Sequence, residues 1–295
     1  MASQPPSEIA APPARAVSEH PVVACYRGSD SADAVQLGAL LAAAIGEPLV
    51  LAHAYRYEPA GLSARALPAP GNERRAVAAR SNVRRARRFA RADVEVRDRI
   101  VPATGVADAL VALAREVAAC VLVLGRDTEG HVTRSLVPRA PCPVAIAPPL
   151  SVPLPTDSAF GRIGVAYDGS PSAQWALTAA RRLARVTGAR LDVLAAGPTS
   201  EHAATWLHIA RLSIGTTLRY ETHAIAGDPS VELTRASAGL DLLVCGSRGR
   251  SRPLAAILGS VSGHLAANAR CPILVVPPGV GYAAEGPLGL ATAAA

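Results

Sequence analysis

The chain has 295 residues, half of them hydrophobic, which is enough for one large core or two of ordinary size. Its net charge of +7 comes from arginine alone, since there is no lysine; with the heavy use of alanine this reads as a genome bias, although polyanionic partners stay open. No apolar run approaches the roughly 20 residues of a membrane helix, and five scattered cysteines without CxxC spacing give neither a disulfide framework nor a zinc site.

Residues 1–19 are Ala/Pro/Ser-rich and lack a basic start followed by an apolar run, so they read as a flexible tail of a cytoplasmic protein. Residues 20–147 form a first unit, opening on Val22-Val-Ala-Cys-Tyr-Arg-Gly-Ser29. An Arg-rich helix follows between Arg74 and Arg91. Its arginines fall all round the axis and Phe89 is its one aromatic neighbour, which favours a solvated helix over a nucleic-acid site. A strand at Val121–Gly125 and a Cys142-Pro step into Pro143–Ala147 close the unit. Residues 148–160, rich in Pro and Ser, read as a linker.

Residues 161–280 repeat the same punctuation. Ile163-Gly-Val-Ala-Tyr-Asp-Gly-Ser170 answers the first strand, Leu242–Gly246 the fourth, and Cys271-Pro-Ile-Leu-Val the last. Between them the periodicity predicts a helix over Ser172–Thr187, with Ala173, Ala176, Leu177, Ala180 and Ala184 on one face and Gly188 as its stop. Next come a strand at Leu191–Ala195 and a helix over Ser200–Ser213 that Ser200 can cap. A strand at Leu218–Ala224 and a helix over Pro229–Ala238 follow. A strand at Leu240–Cys245, a helix over Val261–Ala269, a strand at Ile273–Val276 and a tail at 281–295 complete the chain. Continuous apolar strands alternating with helices predict an α/β fold: two doubly wound, five-stranded parallel-sheet (Rossmann-like) domains in tandem.

The chemistry concentrates in one loop of the second unit, Gly246-Ser-Arg-Gly249, then nine residues, then Gly259-Ser260-Val261. Glycines let backbone approach a ligand without a Cβ in the way. The helix opening at Gly259 and Ser260 offers free N–H groups and a positive dipole end to an anion, and the Ser260 hydroxyl can add a bond or cap the helix. Arg248, Arg250 and Arg252 can give forked donors to phosphate oxygens.

With this loop, with Val165-Ala-Tyr-Asp168-Gly-Ser and with Cys271-Pro-Ile-Leu-Val-Val, the chain resembles the universal stress protein family, in its tandem two-domain form. G-x2-G-x9-G-[ST] is that family's ATP-binding signature. The resemblance implies ATP as ligand, with or without magnesium. It places Ala166 and Tyr167 in the base pocket, Asp168 facing ribose and adenine, and Ala196 (smaller than usual there) against the base. Cys245, Gly246, Arg248, Gly249, Gly259, Ser260 and Val261 would hold ribose and phosphates. It further implies that the two last strands pair, giving an intrachain pseudo-dimer, with a homodimer as the other form.

The first unit departs from this pattern. Arg27 stands where Asp168 does, and His131 replaces the helix-opening serine. From the fourth-strand glycine to the Cys-Pro step it has 17 residues (125 to 142) against 25 (246 to 271). It reads as a partner that no longer binds nucleotide, or as a site where Arg27 and His131 take a smaller anion. Elsewhere His202, His208 and His223 lack metal spacing, and His264 lies one turn past Ser260, where it packs or reaches the ligand. No carboxylate pair, nucleophile elbow or Walker GK[ST] appears. The expectation is a non-enzymatic, cytoplasmic ATP-binding stress-response protein with one nucleotide in its second unit. The alternatives are a slow ATPase or nucleotidyl-transfer enzyme, and an adaptor acting through protein or nucleic-acid contacts.

Overall fold

The computed structural model describes residues 19–28, 31–58, 71–126, 131–149, 151–152, 154–155, 160–215, 218–247 and 258–280. In the first half, β1 (Val22–Cys25), α1 (Ala32–Ile45), β2 (Leu49–Arg56), α2 (Gly71–Ala86) and β3 (Val96–Ala103) lead to α3 (Val106–Glu116), β4 (Val121–Gly125), α4 (His131–Leu136) and β5 (Val144–Ala147). The second half repeats the series with β6 (Arg162–Ala166), α5 (Pro171–Thr187), β7 (Arg190–Gly197), α6 (Ser200–Ile214) and β8 (Tyr220–Ala226). It closes with α7 (Pro229–Ala236), β9 (Leu242–Gly246), α8 (Ser260–Asn268) and β10 (Ile273–Val276).

All ten strands join one sheet in the order β3-β2-β1-β4-β5-β10-β9-β6-β7-β8. Pairing is parallel within each half. The halves meet where β5 and β10 run antiparallel, Ile273 opposite Ile146 and Val275 opposite Val144. Two sheets have thereby become one, and the edges left at its ends are β3 and β8.

Alternation along the strands separates two cores. Val22 and Ala24 lie on the face covered by α1, α2, α5 and α6, whereas Val23 and Cys25 fall on the other face with α3, α4, α7 and α8. Both faces are covered, as a parallel sheet requires. All five cysteines are free and buried. Burial pushes the thiols of Cys142, Cys245 and Cys271 up to about 12, which keeps them protonated and unreactive.

Helix ends follow local chemistry. Ser170 Oγ accepts the Ala173 N–H at 3.1 Å to start α5, and Gly188 ends it at φ +73. Helix α6 is capped by Thr199, whose Oγ accepts the His202 N–H at 3.2 Å; Ser200, the expected cap, is already inside the helix. Helix α7 stops at Ala236 and tightens into a 3-10 turn over Ser237–Gly239, earlier than its apolar pattern suggests.

Candidate functional site

In the second half, β6 and β9 are adjacent, and the chain leaves them toward opposite faces, into α5 and α8. Such a switch point opens a crevice at the strand ends. Helix α8 reaches it with Gly259 as N-cap (φ −61, ψ 159) and no side-chain cap. Ser260 occupies the first helical position, so its hydroxyl does not close the helix end. Among the described residues no side chain caps the first-turn amides, and such amides, with the positive dipole end, suit an anion.

Ser247, directly after β9, pins this helix end. Its carbonyl accepts the Gly259 N–H at 2.8 Å and the Ser262 hydroxyl at 3.1 Å. The Ser247 hydroxyl is itself buried and has no hydrogen-bond partner among the described residues. The sequence motif treats this position as a spacer; only the fold reveals that it ties strand to helix.

The expected pocket residues divide by strand alternation. Ala166, Ala196, Cys245 and Val261 lie on one face together with Ile225 and Leu258, forming an apolar floor. Tyr167 is turned away: its ring joins the opposite core and its hydroxyl donates to Gln174 Oε1 at 3.0 Å. Burial, then the charge of Asp168, raises its phenol pKa. Its side chain therefore does not line the base pocket, as the resemblance implied; it anchors α5. Asp168 is half-buried, and its Oδ1 accepts the Ser170 N–H at 3.0 Å across Gly169 at φ +74. The carboxylate thus shapes the turn into α5.

Gly246 has a reason other than ligand approach. A Cβ there would stand 2.7 Å from the backbone C and O of Ser172, inside the first turn of α5. Gly246→Ala is expected to lose about 1–3 kcal/mol of stability through overpacking, read in a thermal or denaturant melt. An unshifted transition would return this glycine to the ligand. Arg248, Gly249, Arg250 and Arg252 lie outside the described residues. His264 is exposed on α8, and its carbonyl accepts from the Asn268 amide at 2.9 Å.

The acidic and imidazole groups that do gather are at the other end of the strands. Asp192, Glu221 and His223 form one cluster with metal-ligand reach among the described residues. Arg162 and Arg190 already bridge the buried Asp192 at 2.7 and 3.2 Å, and Arg190 also holds Glu221 at 2.6 Å. Two guanidinium groups neutralise the acids, so the cluster is an ion-pair network that closes the sheet end. On α2, Ala79, Val83 and Ala86 form the buried side, Arg75 pairs with Glu58, and just beyond the helix Arg87 pairs with Asp98. Arg74, Arg80 and Arg84 are exposed.

The profile of the universal stress protein family matches residues 20–148 and 199–277. The chain belongs to that family. The matched segments omit β6, α5 and all of β7, so Asp168 lies in the less typical part. A universal stress protein of Mycobacterium tuberculosis is 31% identical over 169 residues, a match that covers 52% of this chain and 57% of the relative. The match thus spans little more than half the length of that curated relative. A universal stress protein from Archaeoglobus fulgidus superposes with TM-score 0.68 at 16% identity, covering 88% of this chain and 97% of that one. A second solved relative, from Pseudomonas aeruginosa, gives TM-score 0.56 at 16% identity, covering 89% and 94%. At such identity these two speak for the fold.

Within this universal stress protein the halves have diverged at their crevices. Arg27 is exposed at the end of β1, where the second half has Asp168. Helix α4 opens on His131 and is six residues long, against nine for α8.

Proposed function

We propose that this universal stress protein binds one adenine nucleotide, ATP, in the crevice of its second half, and senses or buffers it without turnover. The observation that carries this reading is the uncapped N-terminus of α8, pinned by Ser247 beside the apolar floor of Ala166, Ala196 and Ile225. Amides and dipole suit phosphate, and the floor suits the flat face of a base. Asp168, at the end of β6, offers a carboxylate to ribose hydroxyls. Arg248, Arg250 and Arg252 add phosphate donors from the same loop. No carboxylate pair accompanies them among the described residues, so magnesium would arrive on the triphosphate and be held mainly by it. Membership of the family fits a cytoplasmic role in stress survival. Among the described residues no helix is long and apolar enough to cross a membrane.

Calorimetric titration of the full chain with ATP is expected to give a stoichiometry near one. A value near two contradicts the divergence of the first half, and no binding removes the proposal. Release of labelled phosphate at more than a trace would replace the sensor by a slow ATPase.

A further inference from the structure

We propose that the crevice of the first half is a separate site for a short-chain carboxylate, with the hydrocarbon inside and the carboxylate on Arg27. The crevice holds a half-open cavity of about 80 Å3 at the ends of β1, β2 and β4, bordered by α3 and α4. Ala52, Ala54, Leu110, Leu124 and Val132 supply apolar walls, with the buried hydroxyl residues Ser31 and Thr133 and, at the end of β1, the exposed Arg27.

The ligand class follows from what changed relative to the second half. The long loop before the last helix is eight residues shorter, and α4 is too short to present a phosphate cradle. The Asp168 position, which would serve neutral hydroxyls, carries a guanidinium. Positive charge has thus moved from the helix end to the end of β1. A ligand for this crevice places its anion at β1 and an uncharged body beneath α3 and α4. The buried acid of this half, Asp33, does not oppose it: its carboxylate sits against Gly125 from the α1 side of the sheet, and burial pushes its pKa up, with the Ala34 amide and Arg126 only partly offsetting that push.

Volume limits the body. The cavity is about half the ~150 Å3 engineered cavity known to hold the six carbons of benzene, so it takes roughly three carbons. A linear or branched acid of about three to five carbons fits; aromatic rings and long chains do not. Forked donation from Arg27 gives the carboxylate two parallel bonds, and apolar walls exclude water from the chain.

The test uses the full chain at low salt with butyrate and its neutral isostere butyramide, read by calorimetry or ligand-observed NMR. Butyrate is expected to bind saturably in the millimolar range, at least about tenfold tighter than butyramide. Arg27→Gln, a surface change, should erase that difference. Ala54→Leu should fill the cavity and remove both ligands, and octanoate should gain nothing over butyrate. ATP added to the same sample should leave butyrate in place. Equal binding of butyrate and butyramide, unchanged butyrate binding in Arg27→Gln, or displacement by ATP would overturn the proposal. The ATP titration reads the second half independently, so failure of either site leaves the other measurable.

Discussion

Gly259→Val is expected to fold like the parent and to bind ATP at least about a hundredfold more weakly. The folding half of this expectation rests on backbone geometry. At φ −61 and ψ 159 Gly259 occupies extended space open to any residue, so valine adopts it without strain. Its N–H still reaches the Ser247 carbonyl, and Leu265 and Ala266 still hold α8 on the sheet. The binding half rests on sterics at a helix mouth. A branched side chain at the N-cap covers the amides of Ser260 and Val261, and losing two charge-assisted hydrogen bonds costs about 3–6 kcal/mol. Gly259→Ala, with one methyl, should fall between. A valine variant that melts normally and binds ATP as tightly as the parent would show that α8 is not the phosphate site.

What could be read from residue order, and what could not, divides along physical lines. Central strands are buried on both faces, so Val121–Gly125 and Leu242–Gly246 appear as unbroken apolar runs and their repetition is visible. The edge strand β8 alternates between exposed and half-buried residues and carries Glu221 and His223, which blurs its start; it begins at Tyr220, two residues past the expected Leu218. Thr199 and Ser200 are adjacent and chemically equivalent as caps, and only the backbone path chooses between them. The period of two along β6 already places Ala166 and Tyr167 on opposite faces, which is why a pocket made of both side chains does not form. Gly246 carries two meanings in one letter. The motif assigns it to a ligand, while α5 packing 2.7 Å from its absent Cβ demands glycine regardless. Ser247 has no sequence signature at all, because its role depends on α8 returning to β9 across the loop.

Asp168 separates a nucleotide pocket from a general anion site, and its two roles call for two substitutions. Asp168→Asn keeps an oxygen for the Ser170 N–H, so the turn across Gly169 and the melting temperature should be preserved. Asp168→Ala removes the acceptor, leaves that amide to solvent, and should lower stability by about 1 kcal/mol. Ligand binding divides differently. A carboxylate beside a triphosphate repels it, so the charge is tolerated only where it contacts the nucleoside instead. Loss of charge-assisted bonds to ribose hydroxyls costs about 1.5–3 kcal/mol, so ATP affinity should fall roughly 10- to 100-fold in Asp168→Ala and less in Asp168→Asn. Inorganic triphosphate makes no such bonds. It should bind both variants as it binds the parent or slightly better, one negative charge having gone. Parallel titrations of ATP and triphosphate, beside thermal melts of each variant, decide the matter. If both ligands weaken equally while the asparagine variant melts normally, Asp168 does not read a nucleoside, and the crevice of the second half is a site for phosphate alone.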